Sequence, residues 1–298
     1  MNCFKKLFIL LMFSACTYSF SAVPLTEVVI VDVENNAIYM QSQNGSLKAL
    51  TLDGGQMLWE SNLIMKPIKV VDDTLMVQLN PQVKGQLKLA YLAIKEGTIN
   101  STFNVSIPNT VNAVIGQKME ESFLLRLDDK DELYWKYSQH NSGAELTGEN
   151  IKIQYGQLDF NAQNKTLQNS VSTSLDFPKV NKLTSLLTGV TGRQIFSENE
   201  QHILVVNNDK TAKNGYYSWQ FYDVSGAKLV DFNSHQGYSP FIIVDNYLVY
   251  TQSARSTLLS NNEVLNLPSS LIVYGLIKKQ VIWTDAIYEK NYRGIVAP

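Results

Sequence analysis

The side chains with the widest chemical repertoire here are three histidines, His140, His202 and His235. Imidazole titrates near neutral pH and ligates metals. None of the three stands in an HxxxH or HxH spacing, so a metal centre would need them to converge from separate strands beside a carboxylate. They read as single, exposed or partly buried histidines. Asp128, Asp129, Asp131 and Glu132, with Lys130 among them, form an acidic run. Closely spaced carboxylates can hold calcium, but this run lacks the glycine and distal glutamate of a calcium loop. It reads as a solvated hairpin tip. No GxSxG elbow, HExxH, P-loop or CxxC occurs. The only cysteines, Cys3 and Cys16, lie in the first residues of the chain, which leaves the rest without a disulfide or a cysteine metal site. Catalytic, cofactor and metal residues are therefore expected to be none.

The elements that would position any site are short strands. Ile38–Met40 is an apolar run, Asn44-Gly45 is a hairpin turn signal, and Leu47, Ala49 and Leu50 lead to a turn at Asp53-Gly54-Gly55. Met57, Leu58 and Trp59 form the next strand. A segment this short cannot bury its own apolar faces and needs copies of itself. Leu271–Trp283 lies over Leu47–Trp59 without a gap, with Leu50, Leu58 and Trp59 meeting Tyr274, Ile282 and Trp283, and with Lys279 in place of Gly55. Weaker copies turn at Gly97, Gly143 and Gly226. The turn positions fall at 55, 97, 143, 226 and 279. The gap from 143 to 226 is about twice the others, so a degenerate copy is expected inside it, with Ile151–Leu167 as a piece. The mean interval of about 45 residues is that of a four-stranded propeller blade. The expected fold is all-β, a β-propeller of four-stranded blades, six in number with seven as the alternative. Its ring would close where Val28–Val31 meets the last blade, with Tyr292-Arg293-Gly294 running past the closure. Glycines 54, 55, 97 and 226 serve turns, where positive φ is needed, and nothing about them suggests phosphate binding.

Composition narrows the function classes. The net charge is −2 and only 17% of the 298 residues are charged, with no basic patch, which excludes a typical nucleic-acid binder. Tyrosine and phenylalanine are plentiful, 15 and 12 residues, as suits a β-rich core. Lys5, Lys6 and the apolar Leu7–Phe13 form an export signal too short to anchor as a span. Two endings compete. Ser19-Phe20-Ser21 allows cleavage before Ala22, giving a signal over 1–21. Ser14-Ala15-Cys16 allows lipidation at Cys16, giving a signal over 1–15, although Phe13 departs from the usual leucine of that motif. Residues 22–298 are then one domain, periplasmic or held at the outer membrane in a bacterium, secreted or lumenal in a eukaryote. Sequons at Asn44, Asn100, Asn104 and Asn164 are near chance in this composition.

Over Ser42–Glu60 the order of a Gly turn, Leu-x-Ala-Leu, a second Gly turn, an apolar pair and Trp resembles the PQQ-like (pyrroloquinoline-quinone-type) β-propeller repeat. Gly45, Leu50, Gly55, Trp59, Gly97, Gly143, Gly226 and Trp283 carry the resemblance, while Ser101 and Val230 replace the tryptophan in two copies. The resemblance implies that Trp59 and Trp283 dock against a neighbouring blade. The family includes quinoprotein dehydrogenases and non-enzymatic envelope proteins, among them the longer, eight-bladed lipoprotein that assists outer-membrane protein assembly. The dehydrogenases need a calcium-held PQQ, a catalytic aspartate and often a disulfide of adjacent cysteines. This chain has no such cysteines and is about half their length, so no cofactor is expected. The reading that follows is a monomeric, non-catalytic scaffold for other envelope or secreted proteins, with Tyr216, Tyr217 and Tyr238 as its contact surface. The alternative is an enzyme or small-molecule sensor with its site at the central channel.

Overall fold

The computed structural model describes residues 22–115, 117–118, 121–127, 132–140, 151–161, 166–172, 187–208, 217–258 and 263–287. Every regular element among them is a strand, and within each sheet neighbouring strands pair antiparallel, mostly in chain order. The first meander runs through β1 (Ala22–Thr26), β2 (Val29–Asp32), β3 (Ala37–Gln41), β4 (Ser46–Thr51) and the start of β5 (Met57–Val71). The second half of β5 opens the next meander, with β6 (Thr74–Leu79), β7 (Gln86–Ala93) and β8 (Ile99–Ser106). A third contains β9 (Gln117–Lys118), β10 (Glu121–Leu127), β11 (Leu133–His140), β12 (Ile151–Asn161) and β13 (Thr166–Ser172). A fourth contains β14 (Arg193–Phe196), β15 (His202–Asn208), β16 (Tyr217–Asp223) and β17 (Lys228–Ser234). The fifth contains β18 (Phe241–Val244), β19 (Tyr247–Gln252), β22 (Ser270–Gly275) and β23 (Gln280–Ala286), with β20 (Arg255–Leu258) and β21 (Val264–Leu267) set into it as a separate two-stranded ribbon.

The described residues thus hold five meanders, and the count of six is not reached among them. The expected extra copy at Ile151–Leu167 is instead the outer part of the third meander: β12 pairs with β11 on one side and β13 on the other. Gly143 lies outside the described residues.

The chain marks its repeats through backbone sign. The turn between β2 and β3 of the first meander contains Asn36, and the turn between the first two strands of the second, fourth and fifth contains Asp72, Glu200 or Asp245, all with φ of 48–58°. Asn and Asp tolerate this left-handed region better than other side chains. In the first meander buried Asp32 fixes the turn, accepting bonds from the Asn35 backbone N–H at 3.2 Å, its side-chain amide at 2.9 Å and the Tyr39 hydroxyl at 3.3 Å. The outer turn, between the last two strands, holds Gly55, Gly97, Gly226 or Lys279, again with positive φ.

Apolar clusters fill the junctions. Tyr39, Leu47 and Trp59 of the first meander meet Leu75, Val77 and Leu92 of the second. Leu87 and Leu89 of the second meet Phe123, Leu125 and Trp135 of the third. Trp219, Phe221 and Val230 of the fourth meet Phe241, Tyr250 and Tyr274 of the fifth. The fifth then returns to the first: Ile242, Val249, Leu271 and Val273 pack on Val29, Val31, Ile38 and Leu50, as expected for a closure at Val28–Val31. Tyr292, Arg293 and Gly294 lie outside the described residues. The far face of the fourth meander, Phe196, Ile203 and Val205, is covered by Leu187 and Val190 from the segment before β14.

Candidate functional site

Two kinds of site can be built from these elements: the outer turns that join meanders, and the inner turns that ring one end of the assembly. At the outer turns, Trp59 on β5 donates from Nε1 to the Ile94 carbonyl at 2.7 Å, and its ring lies over Gly97, where an added Cβ would stand 2.5 Å from ring carbons. Trp283 on β23 repeats the arrangement, donating to the Leu52 carbonyl at 2.9 Å with its ring 2.7 Å from a Cβ added at Gly55. One indole joins the first meander to the second, and the other joins the fifth to the first. Beside the second indole, the Lys48 ammonium pairs with Asp285, and Ser42 bridges to Ile287. Where the tryptophan is replaced, Val230 is buried in the junction of the fourth and fifth meanders, while Ser101 is exposed and Phe103 two residues later packs inward. Gly45 turns the β3–β4 hairpin with φ 88°, Leu50 is buried at the closure, and Gly226 caps the outer turn of the fourth meander beside Asp223.

At the inner turns the structure opens a cleft of about 290 Å³. Val23 and the turn residues Val33 and Glu34 form one side, Ile242–Val244 of β18 with the turn residue Asp245 another, and Asn199, Gln201 and His202 the third. It therefore sits where the first, fifth and fourth meanders meet. The β14–β15 turn is shaped by Ser197, whose backbone N–H donates to the His202 carbonyl at 2.9 Å and whose hydroxyl accepts from the His202 N–H at 3.0 Å. Burial holds His202 below the usual imidazole range, partly opposed by the Asp223 carboxylate. Its Nδ1 is buried without a hydrogen-bond partner.

The other candidates scatter. His235 is exposed on the connection after β17, held below its usual range by partial burial and by the Arg255 charge. The side chain of His140 falls outside the described residues, as do 128–131, Cys16, Tyr216 and Asn164. Glu132 accepts from the Tyr134 hydroxyl at 2.6 Å and the Gln157 amide at 3.1 Å. Among the described residues no three His, Cys, Asp or Glu side chains gather as metal ligands would. Tyr217 is half-buried against the fourth cluster, with Gly237 stacked on its ring, so it contributes to packing. Tyr238 projects, 48% exposed; partial burial and the Glu198 charge raise its hydroxyl pKa, and Arg193 works against them. The cleft was missed in the sequence because its lining comes from three turns far apart in the chain. The recurring Asp and Asn turn residues were the signal that could have found it.

No family profile matches the chain, and no curated protein sequence matches it. Solved structures similar to it include hydrazine synthase of Kuenenia stuttgartiensis (TM-score 0.29, 6% identity, 80% of this chain and 76% of that one). An uncharacterised protein of Listeria monocytogenes EGD-e follows (TM-score 0.23, 9% identity, 89% and 66%). So does BamB of Moraxella catarrhalis (TM-score 0.22, 14% identity, 90% and 63%). The chain spans just under two thirds of the length of the latter two. At these TM-scores the architecture rests on the meanders and their junctions themselves. No helix among the described residues is long and apolar enough to cross a membrane.

Proposed function

We propose that residues 22–298 form a β-propeller of PQQ-like repeats, exported through the signal at the N-terminus, that holds other envelope proteins as a non-catalytic scaffold. The five meanders of the described residues are read as its blades. The observation that carries this reading is Tyr238. It projects from the connection between the fourth and fifth meanders within reach of the Arg193 and Glu198 charges, on a segment held by buried Ser239, whose hydroxyl bonds the Thr251 carbonyl at 2.7 Å. An exposed tyrosine on a hydrogen-bonded segment, with an arginine charge in range, is the composition that protein interfaces favour. A photo-crosslinking amino acid at position 238, used in the native host, should capture one envelope protein in near-stoichiometric amount. Tyr238→Ala should abolish co-purification of that protein without lowering the melting temperature. Capture no better than from an exposed position such as Asn104 defeats the proposal. The second reading, a small-molecule site at the channel, is favoured by the cleft among the inner turns.

A further inference from the structure

We propose that the cleft between the inner turns of the first, fourth and fifth meanders binds an aliphatic cation, an alkylamine or alkylguanidinium, whose stem enters the cleft and whose charge stays at the rim. One half of the lining is apolar: Val23, Ile242 and Ile243 are buried, with Val33 and Val244 beside them, and Glu34, Asn199, Gln201, His202 and Asp245 make the other half polar. At about 290 Å³ the cleft is at the small end of ligand sites and suits a single alkyl chain. The rim carries Glu34 and Asp245, both exposed, and neither has a hydrogen-bond or ion-pair partner among the described residues. No lysine or arginine lines the cleft. Burial keeps His202 neutral at neutral pH, so it adds no positive charge to offset them. The Asn199 and Gln201 amide oxygens are taken up within the turn, accepting from the Ser197 hydroxyl at 2.7 Å and from the Asn199 amide at 3.4 Å, so the head group is left to the carboxylates.

This arrangement selects by charge and by shape together. An ammonium or guanidinium group is costly to bury, whereas its methylene stem gains from apolar contact, so such groups place the stem inside and the head in water. Carboxylates at the rim meet the head where it emerges. The β14–β15 turn on one side of the cleft adds Glu200, and like charges near one mouth raise the local concentration of cations and repel anions. The chemistry has two sources, a free amine or the lysine or arginine side chain of a bound protein. The inference does not depend on the scaffold reading, because either source fills the same cleft.

The test is a methyl-detected NMR titration of the full chain with hexylamine and hexylguanidinium, with hexanoate as the anionic control. Both cations should shift the Ile242 and Ile243 methyl signals to saturation and hexanoate should not. Glu34→Gln combined with Asp245→Asn should weaken the cations by about tenfold at unchanged melting temperature, since both side chains are exposed and Asn accepts the left-handed backbone at 245. Glu34→Gln alone serves if the double variant misfolds, with a smaller loss in the same direction. Equal shifts from hexanoate, or undiminished cation binding in the variants, overturn the proposal. A lysine-containing tripeptide that binds about tenfold tighter than hexylamine identifies the source as a protein side chain, and tighter binding by the free amine identifies a metabolite. Failure of the titration leaves capture through Tyr238 untouched.

Discussion

At the scale of single residues, the outer turns set up an internal comparison. Gly55, Gly97 and Gly226 adopt positive φ, and Lys279 adopts φ 50° at the matching place. A residue with a Cβ is strained there by about 1–2 kcal/mol, whereas glycine costs about 0.5–1 kcal/mol in lost backbone freedom. Lys279→Gly should therefore raise stability by about 0.5–1 kcal/mol, read as a higher urea midpoint at constant slope. Gly97→Ala should do the reverse and more, by about 2 kcal/mol or above, because its Cβ would enter the Trp59 ring. Histidine gives a second expectation. His202 is held below the usual range chiefly by burial, so the unfolded chain takes up its proton first as pH falls. The stability linked to His202 is present above the unfolded pKa of about 6.5 and is lost as pH drops through the lower folded value. Between about pH 7.5 and about pH 5.5 the melting temperature should fall less in His202→Gln than in the parent. His235, shifted the same way, contributes to the slope that remains, and identical slopes would remove His202 from the account.

At the scale of elements, what could be read in advance follows from how local each signal is. The Asn44-Gly45 hairpin, the Gly55 and Gly97 turns and the match between Leu47–Trp59 and Leu271–Trp283 are short-range patterns, and β3, β4, β7, β22 and β23 fall on them. Three features were not legible. Strand β5 runs 15 residues without a turn and serves two meanders, changing partner from β4 to β6 after a register skip between Ser61 and Ile64. Ile151–Leu167 reads as a repeat because strand, turn and strand look alike wherever they sit in a meander. The cleft draws its lining from residues over 200 positions apart, and only tertiary packing brings Glu34 to Asp245. The ribbon β20–β21 is an element of another kind. It pairs with no other strand, exposes Val264 and Leu265, and is tied at its base by the bond from the Ala254 N–H to the Ser269 hydroxyl. A lone two-stranded ribbon adds little stability of its own. Replacing 256–266 with a short Gly-Asn linker should leave the β19–β22 pairing intact and change the unfolding free energy by no more than about 1 kcal/mol. A large loss would show that the ribbon is part of the core.

At the scale of the whole molecule, the two indole contacts are alike in geometry and unlike in the loop each closes. Trp59 reaches Ile94 across 35 residues, and Trp283 reaches Leu52 across 231. Closing a longer loop costs more entropy, growing with the logarithm of its length, so contacts between the first and fifth meanders are reached late in folding and those between the first and second early. Truncating either tryptophan removes a large packed ring and its hydrogen bond, at about 3–5 kcal/mol in each case, with Trp283 at the lower end because it is the more exposed of the two. The kinetics should separate them. A residue whose contacts are already made in the rate-limiting step slows folding when removed, and one whose contacts form afterwards speeds unfolding. Trp59→Ala should therefore slow refolding, while Trp283→Ala should leave refolding near the parent rate and accelerate unfolding. Stopped-flow chevrons for the two variants give the answer directly. Hydrogen exchange gives an independent reading, since Trp283→Ala should expose the amides of β23 and of Leu47–Thr51 together while β6–β8 stay protected. Refolding slowed equally in both variants would mean that the first and fifth meanders meet before the ring is otherwise built, and that closure is the nucleus rather than the last step.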